Sequence, residues 1–142
     1  MTNQKAGRGG CLCGAVTVFV ETPSNSVAAC HCNMCRKWTS GPLFAIQCDS
    51  GVYFDGEKDT SVFNSSEWAE RGFCSHCGSH LFYRLKETNQ YFIPAGLFDD
   101  VSTFVFEHQI FIEEKPVFYD FANKTENMTG AEIFSQYSPE SE

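Results

Sequence analysis

Seven of the chain's eight cysteines stand in short-range groups: Cys11-x-Cys13, Cys30-x-Cys32-x-x-Cys35 and Cys74-x-x-Cys77, with Cys48 alone. Spacings of two and three residues let sulfurs around a tight turn face one ion, and a tetrahedral zinc needs them only ~3.7 Å apart. The two pairs together make a complete four-thiolate set. The triplet makes three quarters of a second one. A closed cage of four sulfurs holds a fold together, whereas a three-sulfur site keeps a coordination position for water or substrate. The inequality of the two sets points to chemistry at the second.

The rest of the composition agrees with a globular chain built on these anchors. A length of 142 residues suits one domain, expected to span 1–142 with a core over about 9–121 and a C-terminal tail over about 122–142. The start, Met1 to Gly10, has no apolar h-region, and no apolar run approaches the ~18 residues of a membrane span. Both point to a cytoplasmic protein without a membrane partner. In a reducing compartment clustered cysteines serve as metal ligands more often than as disulfides, although an even count of eight also suits a disulfide framework. The formal net charge is −8. Zinc held by four thiolates adds two negative charges and zinc held by three adds one, so loading makes the surface more acidic still. Such a surface repels phosphate backbones and argues against nucleic acid as a partner.

Short β-like runs separated by turns dominate. Val16, Val18 and Val20 alternate with Thr17, Phe19 and Glu21, and Leu81, Tyr83 and Leu85 with Phe82, Arg84 and Lys86, the period of half-buried strands. Further strands are expected at Val27–Ala29, Leu43–Cys48, Val52–Phe54, Ser61–Phe63, Tyr91–Ile93 and Phe104–Ile112, with turns at Asp49-Ser-Gly, Asp55-Gly and Phe98-Asp-Asp. Helix is expected only as a turn or two at Asn33–Trp38 and a weakly amphipathic stretch at Gly130–Tyr137. The fold class is mainly β, with the cysteines on its loops.

The first set reads as structural. Cys74-Ser75-His76-Cys77-Gly78 is a zinc knuckle in which Gly78 can take the positive φ that closes the turn, and Cys11-Leu12-Cys13-Gly14 offers a similar turn. Metal there would clamp the start of the chain to its middle, across some sixty residues. His76 and His31 lie between ligands and either could replace a cysteine. The bland reading of each is an exposed or hydrogen-bonding histidine. In the second set, helical N–H groups with Arg36 and Lys37 are expected to lower the thiol pKa values.

The motifs around the cysteines resemble the glutathione-dependent formaldehyde-activating family, which includes the centromere-protein-V-like proteins. The matching segments are Gly10-Cys11-Leu12-Cys13-Gly14-Ala15-Val16, Cys30-His31-Cys32-Asn33-Met34-Cys35-Arg36-Lys37, and Arg71-Gly72-Phe73-Cys74-Ser75-His76-Cys77-Gly78-Ser79-His80-Leu81. Ala95-Gly96-Leu97-Phe98-Asp99 and His108-Gln109-Ile110-Phe111 follow in the family's order. The resemblance implies an Mss4-like fold of coiled antiparallel β-sheets. It implies a structural zinc on Cys11, Cys13, Cys74 and Cys77 and a catalytic zinc on Cys30, Cys32 and Cys35. It also implies a carbon–sulfur lyase that joins formaldehyde to glutathione, giving S-hydroxymethylglutathione. The partners would be a small thiol, glutathione by the resemblance, and a small aldehyde.

Glutathione's two carboxylates want cations, for which Arg36, Lys37, Arg71 and Arg84 are the candidates. Trp38-Thr39 departs from the small residues more usual in the family after the basic pair. Cys48, on an expected strand, would close the second site if its sulfur reached the ion. Otherwise it is a small buried hydrophobe. His108 is a candidate partner behind that site. The rival reading is a zinc-stabilised Mss4-like binding module in which both sites are structural.

Overall fold

The computed structural model describes residues 6–137. Along the chain run β1 (Gly7–Gly10), β2 (Thr17–Val20), β3 (Ser26–Cys30), α1 (Asn33–Thr39), β4 (Leu43–Cys48), β5 (Val52–Asp55) and β6 (Thr60–Phe63). They are followed by β7 (Ala69–Cys74), β8 (His80–Leu85), β9 (Tyr91–Pro94), β10 (Val105–Ile110), β11 (Glu126–Met128) and α2 (Gly130–Tyr137). The chain is mainly β with two short helices, as its alternating runs require. No described helix is long and apolar enough to cross a membrane. The described residues divide into two compact units. One holds those up to Asn25 together with Ala45–Phe104, and the other holds Ser26–Phe44 and those from Val105 on.

The first unit is antiparallel throughout. β1, β2 and β5 pair in that order, with Gly9 opposite Val18 and Val18 opposite Phe54. β4, β9, β8, β7 and β6 follow one another in the other sheet, pairing Ile46 with Ile93, Tyr83 with Phe92 and Gly72 with Phe82. Val16, Val20, Ile46, Leu81 and Ile93 are fully buried, each stabilising the unit by roughly 1.5–3 kcal/mol relative to exposure. Phe54, Phe82 and Tyr91 meet at centroid distances of 5.3–5.7 Å.

β1 and β7 do not announce themselves in sequence. Gly-Arg-Gly-Gly and Ala-Glu-Arg-Gly-Phe-Cys lack the β-branched alternation of a strand, because close approach has displaced propensity. A Cβ on Gly9 would lie 2.0 Å from the Leu97 carbonyl oxygen, and one on Gly72 would lie 2.2 Å from the Phe82 ring.

The second unit departs from the antiparallel expectation. β10 lies between β3 and β11 and pairs with both in parallel, Ile110 opposite Cys30 and Met128. Parallel neighbours need a long connection between them, and residues 31–104 intervene between β3 and β10. Val27 and Ala29 bury one face of β3, which leaves Cys30 on the other face at the strand's end.

α1 begins where Cys32 caps it, its sulfur accepting from the Cys35 N–H at 3.3 Å. The helix stops at Ser40 in a left-handed conformation. β11 and α2 lie beyond Phe121, in the stretch whose composition reads as tail. α2 starts with a reciprocal capping box: Thr129 N–H donates to Glu132 Oε1 at 2.8 Å and Glu132 N–H to Thr129 Oγ1 at 3.1 Å. Phe134 then packs edge-on against Phe111. Of the tail expected over about 122–142, residues 138–142 lie outside the described residues.

Candidate metal centres

Cys11, Cys13, Cys74 and Cys77 converge in the first unit, all four sulfurs within 4.8 Å of one another. Cys13 Sγ lies 3.7 Å from Cys11 Sγ and 3.7 Å from Cys74 Sγ, the edge length of a zinc–thiolate tetrahedron. Each pair sits on a turn closed by its own backbone. Gly14 N–H donates to Cys11 O and Gly78 N–H to Cys74 O. Gly78 has φ +79°, the conformation its position in the knuckle demands.

The sulfurs are also solvated from the protein side. Val16 N–H points at Cys11 Sγ at 3.3 Å and His76 N–H at Cys74 Sγ at 3.4 Å. Ser79 joins the two turns, accepting from Leu12 N–H at 3.0 Å while its hydroxyl lies 3.2 Å from Cys77 Sγ. That hydroxyl, followed by the backbone N–H groups of Ser79 and Cys13, draws the Cys77 thiol down to about 5. His76 turns away to Asp59, Nε2 to Oδ1 at 2.7 Å, and Asp59 O accepts from Ser75 N–H. It braces the knuckle from outside and leaves the four sulfurs as the group that could hold an ion.

Cys30, Cys32 and Cys35 converge in the second unit, again within 4.8 Å, with Cys35 buried and the other two half-buried. They come from the end of β3, the N-cap of α1 and its first turn. The sulfurs of Cys32 and Cys35, with burial adding to them, push the Cys30 thiol up, opposite to the expected lowering by helix and basic residues. Three thiols this close cannot all ionise beside one another, so the donor set is built for a cation. Soft thiolates at this spacing suit zinc, and the residues present fit it at both centres.

Cys48 stands outside the three-sulfur group. Its buried sulfur lies 4.0 Å from the Ile46 carbonyl oxygen, and burial, with Asp49 adding, pushes its thiol up to about 12. It fills the role of a small core hydrophobe.

His31 is fully buried between its two cysteines and is no ligand: Nδ1 lies 2.8 Å from the Tyr119 hydroxyl and Nε2 2.9 Å from Gln109 Oε1. Burial holds its pKa down. His108 faces the other way, to Glu126 at 3.4 Å, beside an open depression of about 430 Å³ lined by Glu107, His108, Lys124 and Glu126. Strand alternation makes its neighbour Gln109 the β10 residue that reaches the cluster's histidine. No spacing rule in the sequence could have chosen between them.

The four candidate cations separate. Arg71 is buried with its guanidinium over the Tyr83 ring at 4.7 Å. Arg84 pairs with Glu70 at 2.9 Å and with Asn89. Both belong to the sheet of the first unit. Arg36 and Lys37 lie in the last turn of α1. Arg36 donates to the His31 carbonyl at 3.3 Å and lies 3.4 Å from Asn33 Oδ1, and Lys37 is exposed. Glu114 occupies the start of that helix, its Oε1 accepting from Asn33 N–H at 2.7 Å.

A family model described as glutathione-dependent formaldehyde-activating enzyme matches residues 6–114. A Schizosaccharomyces pombe protein named an uncharacterized lyase is 36% identical over 126 residues, covering 88% of this chain and 92% of that protein. A Halomonas elongata protein, provisionally named a glutathione-dependent formaldehyde-activating enzyme, is 32% identical over 83 residues, 52% of this chain and 53% of its own. Among solved structures, a Rhodobacter sphaeroides protein matches with a TM-score of 0.57 at 22% identity, covering 65% of this chain and 87% of that one. At that identity the likeness concerns the fold alone.

Proposed function

The chain belongs to the glutathione-dependent formaldehyde-activating enzyme family, and from that premise we propose that it is a zinc-dependent carbon–sulfur lyase of the cytoplasm acting on adducts of small thiols with aldehydes. Glutathione and formaldehyde are the first pair to consider. Cys30, Cys32 and Cys35 would hold the catalytic zinc, and Cys11, Cys13, Cys74 and Cys77 the structural one. The observation that carries this reading is the inequality of the two sulfur groups, four in one and three in the other.

Held by Cys30, Cys32 and Cys35, zinc would supply the Lewis acidity that lowers the pKa of an incoming thiol. In the reaction the thiol sulfur bonds to the aldehyde carbon and the carbonyl oxygen takes up a proton, giving a hemithioacetal. Breaking that C–S bond is the reverse. The chain's own residues orient the partners. Cys32 and Cys35 are fixed by the helix they cap and begin, and Arg36 and Lys37 on the same helix offer positive charge to a carboxylate-bearing thiol. The acidity of the whole chain gives an anionic substrate no long-range steering, so recognition has to be local.

The test is exchange spectroscopy at equilibrium, following free glutathione and its hydroxymethyl adduct. Zinc-loaded protein should speed the interconversion and Cys35→Ser should not. An unchanged exchange rate with loaded wild type, for glutathione and for other small thiols, would remove the lyase reading.

A further inference from the structure

Every polar atom of His31 is held. Its N–H donates to Ile110 O at 3.1 Å, its carbonyl accepts from Arg36 Nε at 3.3 Å, and its two ring nitrogens meet Tyr119 and Gln109. The order of protons follows from the far end of the chain of bonds. Thr125 Oγ1 donates to Asn127 Oδ1 at 2.7 Å and so accepts from Gln109 Nε2 at 2.9 Å. This turns Gln109 Oε1 toward the imidazole, so Nε2 carries the ring proton and Nδ1 accepts from the Tyr119 hydroxyl. Tyr119 sits on a loop closed on itself by Lys115, whose ammonium donates to the carbonyls of Pro116 and Tyr119 and pairs with Asp120 at 2.7 Å. Phe121 packs against both rings, 6.1 Å from His31 and 5.7 Å from Tyr119.

We propose that His31 is the positioning residue of the three-cysteine centre, braced by Gln109 on one side and Tyr119 on the other. Braced there, it fixes the peptide planes from which Cys30 and Cys32 project and keeps their sulfurs turned with Cys35 toward one ion. The proposal rests on the reading that these cysteines hold a metal. Two soft dihedrals per residue leave a Cys-x-Cys segment free to splay, and nothing in the segment itself holds three sulfurs within 4.8 Å of one another. A residue locked at four points between two of them opposes that splaying before metal arrives. The ring is wholly buried, so its part is to hold ligands in place, away from substrate. Removing hydrogen-bonding support of this kind from a metal site typically weakens metal binding about 10–100-fold.

The test is competitive titration of the full chain with zinc against a chelating indicator, with the two sites resolved by their affinities. Tyr119→Phe removes one hydroxyl from a half-buried ring and should weaken the second site about tenfold while leaving the first unchanged. His31→Phe should weaken the second site more. In that background Tyr119→Phe should add nothing, because its effect passes through the imidazole. Nitrogen-15 NMR of the ring should show Nε2 protonated in wild type and in Tyr119→Phe, where Gln109 still accepts from it, with the Nδ1 signal shifted by loss of the Tyr119 hydroxyl. Should His31→Phe fail to fold, the Tyr119→Phe affinity and the ring tautomer decide alone. The proposal is overturned by an unchanged second site in Tyr119→Phe, by equal weakening of both sites, or by the same cost with and without His31. A wild type that takes up a single ion would overturn the metal reading itself, a result distinct from each of these.

Discussion

The two sulfur clusters are assembled in opposite ways. The four-sulfur group draws its ligands from turns sixty-one residues apart, Cys13 meeting Cys74, and each turn is closed by its own backbone. There the candidate ligands themselves meet across that distance, with Leu12 N–H on Ser79 beside them, so on the proposed reading the metal and the fold of the first unit would stand or fall together. The three-sulfur group takes its ligands from six consecutive residues. Its long-range contacts belong to supporting side chains: Gln109 and Tyr119 on His31, and Glu114 on the start of α1. On the proposed reading, a centre so arranged would lose its ion without losing its scaffold. The comparison ties the proposed division of labour, a structural centre and a working one, to where the long-range contacts fall, on the ligands or behind them.

The sharpest way to break this contrast is to remove one sulfur from each group. Cys74 is fully buried, and Cys74→Ser should lower the melting temperature by about 10 °C or more, or abolish folding, since structural zinc sites carry folding free energy outright. Cys35→Ser should leave a folded chain with one zinc and no lyase activity. Thermal melts with metal analysis check both. If Cys35→Ser unfolds the protein as badly as Cys74→Ser, the second centre is structural and the binding-module reading gains.

Graded chelation gives the same contrast without mutation. The second centre should lose its ion first with the β-sheet circular dichroism intact, and the first only as that signal collapses. Simultaneous loss would erase the distinction.

Legibility in the sequence follows the same division. Both sulfur clusters could be read directly, because the spacing that gathers them is a local property of a turn. The strands with period-two alternation, such as Val16 to Val20, could be read for the same reason, and so could α2 at Gly130–Tyr137. What could not be read depends on distant partners. β1 and β7 are strands because a backbone or a ring lies where a side chain would be. β11 exists through its pairing with β10. The parallel arrangement of β3 and β10 depends on where the chain returns after a long excursion. At the second centre the same limit hid Gln109 and Tyr119, which share no spacing with the cysteines they support, and it made His108 as plausible as its neighbour.

Smaller effects sharpen the account further. Ser79→Ala removes the hydroxyl that accepts from Leu12 N–H and donates to Cys77. It should cost about 1 kcal/mol of stability in chemical denaturation with both ions retained. Loss of the second ion instead would mean that the two centres do not behave independently. Cys48, whose thiol burial pushes up to about 12, should resist alkylation at pH 8 in folded protein stripped of its second ion, because its sulfur is buried and almost none of it is thiolate there. Mass mapping of the modified cysteines reads the order, and early modification of Cys48 would show that its site opens.

The central claim, that one centre is closed and the other keeps a free position, is tested most directly by cobalt substitution. Protein carrying cobalt at both centres should gain sulfur-to-cobalt charge-transfer absorption when a small thiol is added, saturating at one thiol per chain, and Cys35→Ser should lose the response. A spectrum that stays unchanged as thiol is added, with both centres occupied, would mean that both are closed and would contradict the account.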